Sequence, residues 1–433
     1  MKTADVVIGA NLGDEGKGLV TDFLASKYGS DALVVRFCGG AQAGHTVTTP
    51  EGKRHVFNHF GSGSLCGAST YLSRFFICNP ILFLAEAKRL EKLGIRPKVF
   101  IDPAAPVTTP YDMMVNQMVE ELRGKDRHGS CGVGIGETIE RQQHSEYALT
   151  FSDLYNFPAL NLKLDYIRRH WVPLRLKNLG IKTIAPEWKE RIGSQAVLMH
   201  FMSDVDAFLE CARTASLSCV RQAKHVIFEG AQGLLLDQDH EWFPHVTRSN
   251  TGLKNVVSLA RAADLTRLNV HYVSRCYATR HGAGPLPHEL SQKPYEGIMD
   301  LTNVPNPHQG TMRFGWLDLD LLQRTICRDL DFASHLIDAK PRLALTCLDQ
   351  IDEKAYFISR GTKCVGTVAQ LVDKVASLLP VEAMLTSYGP TRTTMKVVQR
   401  EPLVCAKAVT LPPIIPITEP LYAPFLRLSA GGT

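Results

Sequence analysis

The segment NLGDEGKG, residues 11–18, sets three glycines, a lysine and two acids directly after an apolar run, DVVIGA. Gly13, Gly16 and Gly18 let backbone amides approach a phosphate closely. A helix beginning near Lys17 turns its amino end, with its partial positive charge, toward the same point, and Lys17 adds a point charge. The spacing is not a P-loop. Asn11 stands at the first glycine of GxxxxGK[ST], and Gly18 replaces the hydroxyl. It is also a poor dinucleotide fingerprint. The two acids sharpen the reading, because a carboxylate beside phosphates is repulsive unless a cation bridges them or the acid takes up a proton. Asp14 is therefore a candidate Mg2+ ligand, a candidate general base, or both. Glu15 reads as a solvated turn acid.

The elements that must carry this loop repeat one theme. Short β-branched or apolar runs, each followed by a polar glycine-bearing loop, occur in DVVIGANLGDEG, ALVVRFCGGAQAGH, HVIFEGAQG, HYVSRCYATRHGAG, RLALTCLD and AMLTSYGP. The last two end in a shorter polar turn. Between them lie segments with apolar residues at helical spacing, such as 81–94 and 368–379. The first helix buries Leu19, Val20, Phe23 and Leu24, and Gly29 suits its C-cap. Strands alternating with helices predict an α/β fold, with a mostly parallel central sheet and helices on both faces. Ligands of such sheets bind beyond the carboxyl ends of the strands, where these loops would gather. Residues 1–400 read as one large domain with inserted helical and loop subregions. Residues 401–433 read as a proline-rich C-terminal extension.

Composition narrows the class. With 433 residues, 45% hydrophobic and 21% charged, the chain is long enough for a large core. A net charge of +5 without a basic block interleaved with aromatics does not indicate a nucleic-acid partner. The odd count of eleven scattered cysteines, none in a CxxC pair, suits reduced thiols in the cytoplasm. No apolar run reaches the roughly twenty residues of a membrane span, so no membrane partner is expected.

GDEGKG, GGAQAGHTV and FEGAQGLLLDQDHEWFPHVTRSNTG, in this order, resemble the adenylosuccinate synthetase family. NPILFLAEAKRLEKLGI, YATRHGAGPLP, GWLD, LTCLD and SYGPTRTTM extend the likeness over most of residues 5–395. The resemblance implies a P-loop-NTPase-like fold and a GTP-dependent ligase. IMP, aspartate and GTP would give adenylosuccinate, GDP and phosphate by way of a 6-phosphoryl purine. It implies small-molecule nucleotide and amine substrates, Mg2+ with GTP, and a homodimer. Asp14 matches the family's base and, with the Gly44 carbonyl, its Mg2+ ligands. His45 matches a histidine beside the transferring phosphoryl group. Gln232 would position the purine 6-oxygen or the ribose phosphate side. Gly13, Glu15, Gly16, Lys17, Gly18 and Thr46 would border GTP. Asp349 would read the guanine through N1–H and N2–H, and Ser387, Tyr388 and Gly389 would border the base. Gln42, Ala43, Ser130, Cys131 and Thr247 would line the nucleotide substrate.

The sequence also departs from the family. Gln42 stands where asparagine is usual, and Cys347 where a lysine precedes Asp349. The loop expected to offer several arginines to aspartate reads HQGTMRFGWLD, with Arg313 alone. Clamping two carboxylates normally calls for paired guanidiniums. Arg280 and Arg248 are the candidates to replace the missing ones. The arginine pair expected after GVGIG is missing, and Arg141 is not a clean match. A paralogue that activates an oxo group but couples a different amine would look the same.

Overall fold

The computed structural model describes residues 2–124, 130–299, 311–381 and 383–399. The proline-rich extension, 401–433, and part of the shortened loop, 300–310, lie outside the described residues. The described residues belong to one compact unit, Met1–Arg400.

Seventeen strands are formed among them: β1 Thr3–Gly9, β2 Ala32–Arg36, β3 His45–Thr48, β4 Arg54–Phe57, β5 Ser69–Leu72, β6 Val99–Ile101, β7 Arg213–Thr214, β8 His225–Gly233, β9 Arg267–Arg275, β10 Tyr277–Arg280, β11 Glu289–Leu290, β12 Arg313–Asp318, β13 Asp338–Thr346, β14 Ala355–Ser359, β15 Thr362–Gly366, β16 Ala383–Ser387 and β17 Met395–Gln399. Ten make one sheet in the order β17-β16-β13-β9-β1-β8-β2-β5-β6-β7. Every pairing in it is parallel except β16 with β17. The six runs read as strands from the sequence are β1, β2, β8, β9, β13 and β16, and they lie side by side. Their glycine-bearing or polar loops therefore meet at one edge.

Both faces of this sheet are covered, which is why its strands are almost wholly apolar. Val6, Ile8, Val270 and Leu343 pack on one side, against Val256, Leu322 and Leu371 from three helices. Val7, Val34, Ile227 and Val273 pack on the other, against Leu19, Val20 and Leu24 of the helix Lys17–Ala25. A second sheet, β10-β12-β14-β15 with β11 paired to β12, follows the end of β9.

The helix expected over 81–94 is Pro80–Lys92, and that expected over 368–379 is Val368–Ala376. The first helix ends sooner than its sequence suggests. Its C-cap is Ser26, and Gly29, at φ 55°, instead opens the short 3-10 turn Gly29–Asp31. No described helix is long and apolar enough to cross a membrane. The ten described cysteines are all free.

Candidate active site

The loop after β1 is built around an inward acid. Glu15 is 2% exposed; its Oε1 accepts from the amides of Asn11 and Gly13, each at 2.9 Å, and its Oε2 from Lys17 Nζ at 2.8 Å. The expectation of a solvated turn acid is therefore corrected. Glycine makes the room: a Cβ on Gly9 would lie 2.2 Å from Glu15 Oε2, and one on Gly233 2.7 Å from Oε1. Gly13 and Gly16 adopt positive φ, 98° and 91°. Gly16 is the N-cap of the helix and offers no side chain, so the open amino end faces the loop. Thr346, at the end of β13, donates to the Glu15 carbonyl at 2.8 Å.

Asp14 faces the other way. It holds a left-handed backbone, φ 58°, and Arg275 Nε donates to its carbonyl. Its Oδ2 lies 2.7 Å from His281 Nε2. Burial pushes its acidity down, but the His281 hydrogen bond and the charges of Arg275, His281 and Lys17 outweigh that and hold its pKa at about 2. Asp14 is therefore an ionised carboxylate on the open side of the loop after β1.

The loop after β2 meets this one. A Cβ on Gly18 would lie 3.0 Å from the Thr46 carbonyl and 3.1 Å from His45 Cβ. His45 Nδ1 is 2.7 Å from Glu229 Oε1, on β8. Glu229 is fully buried and also receives the Ser62 hydroxyl and, at 3.0 Å, the Ser62 amide. Burial lowers the pKa of His45 despite the facing carboxylate. Glu229 thus fixes the ring with Nε2 turned away from it. Sequence reasoning missed Glu229; a lone acid inside the apolar run HVIFEGAQG was its signal.

Two amides converge beside it. A Cβ on Gly39 would sit 3.1 Å from Gln232 Oε1 and 3.6 Å from Gln42 Nε2. Gln232 Oε1 and both polar atoms of Gln42 are buried with no hydrogen-bond partner. Unpaired buried polar atoms cost free energy, so this is where a ligand with donors and acceptors would gain most. Ala43 is buried against the core here, and Gly44 is exposed. The Ser130 loop adjoins the same place, since Ile135 Cδ1 would meet a Cβ on Gly40 at 2.7 Å. Ser130 Oγ accepts from Asn116 at 2.9 Å, while burial raises the Cys131 thiol. Thr247 is half-buried, its amide donating to the Leu236 carbonyl at 2.9 Å.

At the far end of the edge, Asp349 is exposed in the turn Leu348–Gln350 directly after β13. Cys347 precedes it at φ 62°. Ser387 ends the neighbouring β16 and donates to the Gly389 carbonyl at 2.7 Å. Tyr388 is 39% exposed, with Lys396 Nζ 4.9 Å from its ring centre.

The expected arginines are engaged elsewhere. Arg313 grips Glu289 with two prongs, Nε–Oε1 at 2.7 Å and Nη2–Oε2 at 2.5 Å. Arg280 donates to three backbone carbonyls. Arg248 sits 3.4 Å from Glu140. Arg141 is fully buried and holds Asp112 and the carbonyls of Val107 and Tyr147. Arg313, the residue expected at the amine, thus has its fork filled by Glu289 in this arrangement.

The sheet edge thus carries a glycine-rich loop ahead of an open helix end, a histidine fixed by Glu229 and two amides with unpaired polar atoms. The model of the family described as adenylosuccinate synthetase matches residues 6–356. The adenylosuccinate synthetase of Xanthomonas oryzae pv. oryzae strain PXO99A is 32% identical over 353 residues, which span 80% of this chain and 77% of that protein. That of Xanthomonas campestris pv. campestris strain B100 is 33% identical over 358 residues, at the same coverage. The fully ligated adenylosuccinate synthetase from Plasmodium falciparum has the same fold, with a TM-score of 0.71 at 19% identity over 92% of this chain and 100% of that one. So does the succinoaminodeoxyadenylate synthetase of cyanophage S-2L bound to dGMP and dATP as an energy donor, with a TM-score of 0.60 at 14% identity over 92% and 95%. The chain belongs to the adenylosuccinate synthetase family, and with it to the ligases that form C–N bonds.

Proposed function

We propose that the protein uses GTP to phosphorylate the 6-oxygen of IMP and then lets the amine of aspartate displace that phosphate, giving adenylosuccinate, GDP and phosphate. The observation that carries this reading is the convergence of Asp14, Lys17, His45, Gln42 and Gln232 where the loops after β1, β2 and β8 touch. A carbonyl oxygen is a poor leaving group, and phosphorylation makes it a good one. The open helix end and Lys17 would hold phosphate, and Asp14 would take the proton from N1. Phosphates brought alongside Asp14 would raise its proton affinity from the low value it has beside His281. His45, fixed by Glu229, would donate to the oxygen gaining charge. We read residues 1–400 as a single ligase domain, and the protein as a cytoplasmic homodimer.

The residues present fit a magnesium ion. Mg2+ is usually held by one or two carboxylates together with substrate phosphates. Asp14 supplies an ionised carboxylate, and Gly44, an exposed residue, would add its carbonyl. Among the described residues no group of three or more His, Cys, Asp or Glu forms a metal cluster, so nucleotide phosphates would complete the shell. The ion would offset charge on the transferring phosphoryl group.

A second reading is favoured by the Arg313–Glu289 pair: the same GTP-driven activation with a different amine or oxo-purine. A binding module without turnover is disfavoured, since nucleotide binding alone does not need His45 held by a buried Glu229. The deciding experiment supplies GTP, Mg2+, IMP and aspartate and measures adenylosuccinate and phosphate. Absence of both rejects the first reading. Turnover appearing only with another amine or purine establishes the second.

A further inference from the structure

Four successive backbone carbonyls, at Gly282, Ala283, Gly284 and Pro285, each accept a hydrogen bond from an arginine. Arg313 Nη1 donates to Gly282 at 3.0 Å and Gly284 at 2.9 Å. Arg280 donates from Nε to Ala283 at 2.9 Å and from Nη1 to Pro285 at 3.1 Å. Both arginines are themselves fixed. They are direct partners across the β10–β12 ladder. Glu289 holds the outer edge of Arg313, and Arg280 is 3% exposed with Nη2 on the His245 carbonyl at 2.6 Å. A loop needs no such clamp merely to connect two strands. The residue it presents at its start is His281, whose Nε2 lies 2.7 Å from Asp14 Oδ2.

We propose that His281 is a positioning residue for Asp14, and that the arginine-clamped loop 281–285 exists to hold it there. The Asp14 backbone is set by its left-handed conformation and by Arg275 on its carbonyl. Its carboxylate would still turn about a broad two-fold torsion. Binding one oxygen to His281 selects a single orientation and leaves the other oxygen for the substrate side. A group displaced by about 1 Å from its productive place can lose about a hundredfold in rate. His281 and Asp14 are 28% and 24% exposed, so both border the open side of the site and neither is packed into the core. This inference rests on the proposed phosphoryl-transfer reading, in which Asp14 acts on the substrate.

The test compares wild-type protein with His281→Val, His281→Gln and Glu289→Gln, using GTP, Mg2+, IMP and aspartate or whichever amine proves active. His281→Val is expected to lower kcat about tenfold or more, with KM for GTP and IMP nearly unchanged. Its Tm should stay within about 3 °C of wild type. His281→Gln keeps an N–H donor and should recover part of the rate. Glu289→Gln weakens the grip on Arg313 and should show the same pattern more mildly. An undiminished kcat in His281→Val overturns the proposal. So does a loss that comes with raised KM and lowered Tm and is not relieved by glutamine. An independent readout needs no turnover: the imidazole 15N resonances of His281, assigned through His281→Val, should move in Asp14→Asn. Unmoved resonances reject the contact itself. Moved resonances in a protein with no turnover reject the functional reading instead.

Discussion

Asp14 and Glu15 are neighbours of the same charge, and the structure gives them opposite work. Glu15 points in and takes two loop amides and Lys17, the donors a phosphate would want. Asp14 points out, ionised, beside His281. The sequence separates them only in part. It shows that an acid among phosphate donors needs a reason, but not which acid turns inward. That choice depends on space left by Gly9 and Gly233, the second of which is more than two hundred residues away. The partners of Asp14 and His45 were hidden for the same reason, because His281 reaches one from the loop after β10 and Glu229 the other from β8. Asp14→Asn is expected to lose turnover by about a hundredfold or more while GTP still binds, since an amide neither takes a proton nor holds Mg2+ well. Rate measurements paired with nucleotide titration check this, and a variant keeping more than about a tenth of the rate would contradict the role.

Elements were legible where periodicity is strong and less so where tertiary contacts end them. The six strands of the sheet edge stand out because burial on both faces makes them continuously apolar. The end of the first helix did not, because Ser26 caps it through the Asp22 and Leu24 carbonyls before Gly29 is reached. Buried polar joints between helices were also invisible. Asp329, on the helix Leu319–Ala333, accepts from the Leu253 amide at 2.8 Å and the Tyr272 hydroxyl at 2.8 Å. It thereby meets the amino end of the helix Leu253–Ala262, and Gly252 allows the approach, since a Cβ there would lie 2.1 Å from its Oδ1. Burial raises its pKa from 3.8 to about 6. The folded protein therefore keeps a proton that the unfolded chain releases at lower pH. The resulting stability is complete below about pH 4 and is lost as pH rises through about 6. Asp329→Asn cannot ionise, so its Tm should gain on that of the wild type between these limits and hold a constant lead above them. A difference that does not vary with pH would show that Asp329 ionises in the folded state as freely as in the unfolded one.

At the scale of the whole molecule, the order of strands arranges the reaction. From β16 and β13 through β1 to β8 and β2, the edge presents Asp349 and Ser387, then the phosphate loop, then His45 and the two glutamines. Donor base, phosphates and acceptor would lie in that sequence. Asp349→Asn should weaken GTP and admit XTP, whose 2-oxygen accepts from an amide where guanine offers a donor. Competition assays between GTP, ATP and XTP decide it, and equal use of ATP and GTP by the unmodified protein would overturn it. The family match ends at residue 356, before Ser387, Tyr388 and Gly389, so those three rest on the resemblance of SYGPTRTTM alone.

In the proposed reading the amine would meet Arg313 on the second sheet, and there neither Arg313 nor Arg280 is free to complete a dicarboxylate clamp. Residues 300–312 contain no lysine or arginine. Arg313 gives two prongs to Glu289 and its remaining nitrogen to the Gly282 and Gly284 carbonyls, while Arg280 is spent on three carbonyls. An incoming carboxylate would have to displace Glu289, exchanging one charge-assisted pair for another of similar strength. Little net affinity remains from such an exchange. The expected outcome is a KM for aspartate well above the ordinary range of about 1 μM to 1 mM, or better turnover with an amine bearing fewer carboxylates. Arg313→Ala then separates its two possible duties. If it pins the His281 loop, kcat falls and KM for the amine stays put. If it binds the amine, KM rises and kcat at saturation holds. Sub-millimolar use of aspartate together with a raised KM in Arg313→Ala would mean that the substrate does dislodge Glu289, and that the arginine serves the amine after all.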